Sequence, residues 1–371
     1  MKLRAIVKQE LKFILHRYLL PACYNRYKKQ PIEKGKVIFA DSNTDTLPES
    51  MRLVYERLSE RDDLDIRLCL RDIRKVGIKG KLDYILGFMR EYATAEYVFI
   101  CNYFLPVTSC RKRKGTRVVQ LWHSCGLLKK FAYDTPDDIS PYYRGDVTKN
   151  ISMLTVSSPA VKTVFENAFH LEGVRKKMIR SVGVSRTDVF FDERYLDDCR
   201  KKLFDSYPQF RGKKIALYAP TFRGTAAAPR LVGEQSVLEL QQKLGDDWAV
   251  IIKPHPHIKS VSSNCDMQTS ELFATTDVLI TDYSSLMFEY ALLKKPFVLY
   301  MPDYDEYKKE RGFYEAPEDF PCEIVKNGDE LSGAVLRAYG REPDDDYDRF
   351  LKYHMGSCDG HSTDRILKIV K

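Results

Sequence analysis

From Val37 onward the chain alternates short apolar runs with segments whose apolar residues recur at helical spacing. That alternation predicts βαβ units and therefore parallel sheets. The strand candidates of the first half are KVIFA, DIRLCL, EYVFICN, RVVQLWH, MLTVSS and MIRSVGV, and they form one domain running to about Thr187. A polar helical stretch, DERYLDDCRKKLFDSY, then leads into a second series: KKIALYAP, WAVIIKPH, DVLITDYSS and PFVLYMP. Each run is followed by a turn and a helical pattern, as a doubly wound sheet requires. At 371 residues the chain is also too long for one ordinary core, which stops growing near ~250 to 300 residues. The expected organisation is α/β: an N-terminal helix over 1–30, Rossmann-like domains over 31–190 and 191–345, and a C-terminal helix over 346–371.

The polar residues of interest stand just after the strands, where ligands bind in open α/β sheets. In TDYSSLMFEYALLKKP a buried strand ends at Thr281, and Asp282, Ser284 and Ser285 stand where a helix begins. Serines there cap the helix, and its free N–H groups also suit an anion such as a phosphate. Glu289, one turn on, has the reach for ribose hydroxyls or a structural role. In IIKPHPH, Pro254 and Pro256 hold the backbone extended around His255, which fixes Lys253 and His255 relative to the strand. Lys253 can neutralise a phosphate, and His255 can donate to a leaving-group oxygen. His257 has two-histidine metal spacing with His255 but lacks a third ligand. LYAPTFRG offers Thr221 and Arg223 as donors to a diphosphate. Arg311, in ERGFY, is either a further phosphate contact or a loop anchor. Asp303 and Asp305, in PDYDEY, imitate a DxD metal clamp, but acidic turns are common and the cations nearby already suit a diphosphate. In VVQLWHSCGLLKK, His123 ends an apolar run. It is either a core histidine bonded to a carbonyl or a base with a pKa near neutrality.

Composition narrows the field. Neither a Walker loop, nor GxGxxG, nor a GxSxG elbow occurs, so no P-loop, nicotinamide or hydrolase fingerprint supports those classes. Nine cysteines without a CxxC pair suggest reduced thiols and no zinc site. The net charge of +8 is uneven, crowding the first 36 residues and recurring in RKRKGTR at 111–117. It favours an anionic partner, or else forms a solvated basic face. The N-terminus has no uninterrupted apolar stretch of ~18 residues and is expected neither to span a membrane nor to direct export. There Leu3, Ile6, Val7, Leu11, Ile14, Leu15 and Leu19 recur at helical spacing among Lys2, Arg4, Lys8, Lys12 and Arg17. Such a helix either lies on an anionic membrane surface or packs on its own domain.

Taken together, Trp122-His123, YAPTFR, KPHPH, TDYSSLMFEY, RGFY and the Asp359-Gly360 pair resemble the CDP-glycerol glycerophosphotransferase family, the teichoic-acid primases and polymerases of Gram-positive cell walls. They stand in the family's order from about Val37 to Arg365. The resemblance implies a GT-B fold with two parallel sheets facing a central cleft, and a peripheral place on the cytoplasmic face of the cell membrane. It implies a CDP-glycerol or CDP-ribitol donor without a metal clamp, a lipid-linked glycan acceptor, and release of CMP. By motif match His123 and His255 inherit the family's two essential histidines. His123 is then the general base, and Arg223, Ser284 and Ser285 hold the donor diphosphate. The chain reads Trp122-His123-Ser124-Cys125-Gly126 where the polymerases read Trp-His-Gly-Thr-Pro, which is closer to the primase branch. Two other classes share these features: a glycosyltransferase using a nucleotide-diphosphate sugar, and a non-catalytic membrane-bound nucleotide sensor. Nucleic-acid binding is less favoured, because the basic residues are not interleaved with aromatics.

Overall fold

A strand with an unbroken apolar interior needs cover on both faces, and the first strand, β1 (Lys36–Asp41), is buried at all six positions. It is joined by β2 (Asp65–Leu70), β3 (Tyr97–Ile100), β4 (Arg117–Gln120), β5 (Met153–Thr155) and β6 (Ile179–Arg180). The computed structural model describes residues 2–225, 228–254, 258 and 261–370. These six strands form one parallel sheet in the order β2-β1-β3-β4-β5-β6, with Val37 opposite both Ile66 and Tyr97. A second series comprises β7 (Lys214–Tyr218), β8 (Arg223–Thr225), β9 (Ala228–Arg230), β10 (Trp248–Ile252), β11 (Val278–Thr281), β12 (Phe297–Tyr300) and β13 (Glu323–Val325). Five of them make a parallel sheet ordered β10-β7-β11-β12-β13, while β8 and β9 pair as an antiparallel hairpin. The hairpin and β13 were not expected, because three-residue strands are too short to show a period.

Both sheets reverse direction beside their first strand: β2 lies on one side of β1 and β3 on the other, as β10 and β11 flank β7. Loops leaving the carboxyl ends of such a pair run apart, and this opens a crevice in each sheet.

The chain divides into two compact units. The first holds the chain through His123, then Phe131–Asp188 and the stretch from Ser357; the second holds Ser124–Lys130 and Val189–Gly356. The helix expected over 346–371 is two helices, Asp345–Met355 and Ser362–Leu367, one in each unit. Gly356 and the Asp359-Gly360 turn interrupt it, with Gly360 at a φ of 85°. The last helix returns to the first core, where Ile366 is buried with Val37, Phe39 and Val119. Its opening amides are held by Asp188, whose carboxylate accepts from Ser362 N at 3.0 Å and Thr363 N at 2.7 Å.

At the N-terminus, residues 2–27 are helical with a π turn at Leu15–Leu19. Pro21 has no N–H for the carbonyl one turn back, and the Leu20 N–H bonds Leu15 O instead. The expected packing on its own domain is found toward the end of this helix. Leu20 and Tyr24 are buried, with Tyr24 packed on Tyr92 at 5.2 Å, whereas Val7, Leu11, Ile14 and Tyr18 are at least half exposed.

Replacing Asp188 with Ala strips the last helix of its N-terminal acceptor. Urea unfolding should then show a loss of about 1–2 kcal/mol.

Candidate active site

The first crevice gathers the ends of β1, β3 and β4. Asp41 closes β1 and is buried, accepting from Asn102 Nδ2 at 2.7 Å and Asn43 N at 2.6 Å. β4 stops at Gln120, earlier than RVVQLWH suggested, because Trp122 turns into the left-handed region at φ 60°. That conformation is unfavourable for a bulky residue and persists only where packing enforces it. The packing is an aromatic cage: Phe165 at 5.2 Å, Tyr103 at 5.6 Å, Phe169 at 5.8 Å and Phe131 at 5.9 Å from the indole. The turn leaves His123 exposed, its ring stacked on Trp122 at 4.9 Å. Its Nδ1 lies 3.1 Å from the Cys101 carbonyl, and a carbonyl can only accept. In the neutral ring the proton therefore sits on Nδ1, and Nε2 carries the lone pair.

At the second crevice, beyond β7 and β11, a largely covered guanidinium organises the loops. Arg223 places Nε 2.5 Å from Asp303 Oδ2 and Nη2 3.0 Å from Asp303 Oδ1, a two-point fork. Its Nη1 donates to Asp282 Oδ2 at 2.9 Å and Thr221 Oγ1 at 2.8 Å. Asp282 also accepts from Thr221 N at 2.9 Å and Tyr283 N at 2.7 Å. The guanidinium lies over Tyr283 and Tyr307 at 4.7 and 5.0 Å, and those rings stack at 3.7 Å. Burial opposes charge on Arg223, yet the two carboxylates outweigh it and raise its pKa. Burial likewise opposes ionisation of Asp303, and the Arg223 fork prevails, holding its carboxyl below the usual range.

The expected site residues thus take different places. Thr221, Arg223 and Asp282 come together, and the fork of Arg223 is engaged by Asp303. Asp303 accepts from Arg223, while Asp305 is exposed. Ser285 starts the helix Leu286–Ala291 without a side-chain cap, and Ser284 Oγ accepts from Leu286 N at 3.3 Å. Glu289 is buried with its helix neighbours Phe288 and Tyr290. Lys253 donates to Cys265 O at 2.9 Å. His255 and His257 lie outside the described residues.

Arg311 reaches the segment Ser124–Lys130. Its Nε donates to Lys130 O at 3.2 Å, part of a set of bonds fastening Ser124–Lys130 to the second unit. Lys130 N donates to Gly312 O at 3.1 Å and Tyr314 N to Leu128 O at 2.7 Å. Leu127 N donates to His354 Nδ1 at 3.2 Å. Gly126 has a φ of 63°, and a Cβ there would stand 2.4 Å from the Phe288 ring. Sequence reasoning missed His354. Its signal was its spacing after Tyr347 and Phe350, which puts it on the apolar face of DDYDRFLKYHM. Among Phe288, Phe320 and Phe350, burial pushes its imidazole down to about 3, so it stays neutral and accepts.

The model of the family described as CDP-Glycerol:Poly(glycerophosphate) glycerophosphotransferase matches residues 22–371. The teichoic acid ribitol-phosphate primase of Bacillus spizizenii (strain ATCC 23059 / NRRL B-14472 / W23) is 33% identical over 368 residues, covering 92% of each chain. The teichoic acid glycerol-phosphate primase of Bacillus subtilis (strain 168) is 31% identical over 239 residues, 59% of this chain and 58% of its own. The wall teichoic acid polymerase TagF, solved as a variant soaked with CDPG, aligns with a TM-score of 0.75 at 22% identity, over 99% of this chain and 96% of that one. This likeness gives the fold class, GT-B.

Removing the Arg223 side chain leaves two buried carboxylates facing each other, and Arg223→Ala should lose ~3–5 kcal/mol in urea unfolding. The folded pKa of Asp303 is depressed, so its contribution is present above about pH 4 and is lost as pH falls through the folded value. Stability curves of Asp303→Asn should lack that acid-side loss.

Proposed function

The chain belongs to the CDP-glycerol:poly(glycerophosphate) glycerophosphotransferase family, and we propose how its residues divide the work of that chemistry. It is an enzyme of teichoic-acid synthesis that moves a polyol phosphate from a CDP-activated polyol to a glycan acceptor. In the reaction an acceptor hydroxyl oxygen attacks the β-phosphorus of the donor in line. A new O–P bond forms, the bond to the bridging oxygen breaks, and CMP leaves with that electron pair. The hydroxyl proton goes to His123 Nε2. The single observation that carries this assignment is the Nδ1–H bond to the Cys101 carbonyl, which fixes the tautomer that can accept it.

Donor binding falls to the second crevice. Lys253 and the serine turn that opens Leu286–Ala291 favour the diphosphate, and His255 is assigned to the leaving phosphate. Arg223, Asp282 and Asp303 shape this crevice and do not themselves neutralise the donor, because together they carry one net negative charge. The pairing of Asp303 with Arg223 supports a transfer without a DxD clamp on a divalent ion, and transfer is expected to proceed in EDTA. The Trp-His-Ser-Cys-Gly sequence and the ribitol-phosphate primase that matches over 92% of both chains support a primase-like single addition, with ribitol the better-supported polyol. The acceptor is read as lipid-linked and the protein as peripheral on the cytoplasmic membrane face. No described helix is long and apolar enough to cross a membrane. The stripe Val7, Leu11, Ile14 and Tyr18, exposed beside Lys12 and Arg17, fits an anionic lipid surface.

CMP release from CDP-ribitol and CDP-glycerol, with product mass read alongside, tests the first assignment. His123→Asn should slow transfer ~10²-fold or more while leaving donor affinity unchanged; near wild-type transfer would end the role of His123 as base. In co-sedimentation with vesicles containing anionic lipid, Leu11→Ser/Ile14→Ser should reduce binding several-fold. Unchanged retention would remove the membrane role of the helix.

A further inference from the structure

The RKRKGTR run at 111–117 plays no part in the transfer chemistry, and it ends beside a basic recess in the first unit. Arg117 opens β4, and the next residue is tied to the recess wall: Ser152 N donates to Val118 O at 2.8 Å, and Val118 N to Ser152 Oγ at 3.1 Å. The recess, of ≈ 590 Å³, lies among residues that precede β5 and β6, with Arg180 at the end of β6. It therefore occupies the amino edge of the sheet, opposite the edge where β4 delivers His123.

Four cations line it, Lys149, Arg175, Lys177 and Arg180, against one carboxylate, Asp146. That carboxylate is already used. Its Oδ2 takes Arg175 Nη2 at 2.7 Å, and its Oδ1 accepts from Thr148 N at 2.9 Å and Thr148 Oγ1 at 2.6 Å. No described carboxylate lies within ion-pair distance of Lys149, Lys177 or Arg180, so three positive charges share one concavity without a counter-charge. A bound anion relieves their mutual repulsion, and like-signed walls concentrate the field inside a concave site. The remaining lining tells what the anion is attached to. Ile151, Val174 and Met178 are aliphatic, Val174 is 78% exposed, and no aromatic ring lines the recess to stack on a base. We propose that this recess binds a phosphate group carried on an aliphatic or polyol stem, at a site distinct from that of the CDP-polyol donor. The inference stands on the recess alone and does not require the donor assignment. A lipid headgroup and a soluble phosphate present the same chemistry to it.

Calorimetric titration with inorganic pyrophosphate, comparing the full chain with Lys149→Ser/Lys177→Ser/Arg180→Ser, tests the site. The wild type should bind at one site more than the variant, or at that site about tenfold or more tightly. A control, Lys79→Ser/Lys201→Ser/Lys352→Ser, removes the same charge from exposed positions elsewhere and should match the wild type. A second arm compares retention on phosphatidylglycerol and phosphatidylcholine vesicles. Loss by the recess variant on phosphatidylglycerol supports a headgroup ligand; loss confined to pyrophosphate supports a soluble one. Wild-type behaviour of the recess variant in both arms, or equal losses in the control, overturns the proposal. The variant should bind CDP-polyol normally, which separates this outcome from any failure of the transfer reading.

Discussion

Both units answer to one constraint: a parallel sheet whose strand order reverses beside its first strand cannot be closed over at that point. The reversals fall at β1 with β3 and at β7 with β11, and the polar residues of interest collect there. Asp41, Asn102 and His123 lie beyond the first; Thr221, Arg223 and the loop from Asp282 lie beyond the second. Neighbouring positions along these strands are buried and apolar, so chemistry is confined to the loops.

In the second unit the loops are held in place by an ion cluster. Arg223 carries one charge against the two of Asp282 and Asp303 and lies over stacked tyrosine rings. Charges removed from water in this way are tolerated only when each has partners of good geometry, and here the fork, the Thr221 hydroxyl and the backbone amides supply them. The arginine that resembles a phosphate ligand in sequence stands at the centre of this cluster. It fixes β8, the Asp282 loop and the turn at Asp303 relative to one another.

In the first unit the decisive element is a strained turn. Trp122 adopts a conformation that a bulky residue avoids, and four aromatic rings enforce it. His123 is thereby turned outward, with its tautomer set by Cys101. The seven residues that follow are bound into the second unit by backbone bonds to Gly312 and Tyr314, by Arg311 and by His354. RGFY thus contributes backbone bonds, the Arg311 side chain and the Phe313 ring, which packs on Tyr283, Tyr304 and Tyr307, and Ser124-Cys125-Gly126 leads into a strap whose glycine leaves no room for a side chain beside Phe288.

The sequence alone determined the α/β class, ten of the strands and the positions of the strand-end motifs, because apolar runs and helical spacing are local signals. It also marked His123 as out of place in an apolar run. Short elements such as β13 and the β8–β9 hairpin carried no readable period, and the break in the C-terminal helix followed from where its second half found a core. Only the tertiary structure decided what each polar residue is paired with. Asp303 is eighty residues from Arg223 and His354 is 227 from Leu127. Whether a charge faces a ligand or a partner depends on which carboxylate the fold brings within hydrogen-bond distance, and no local pattern in the chain encodes that.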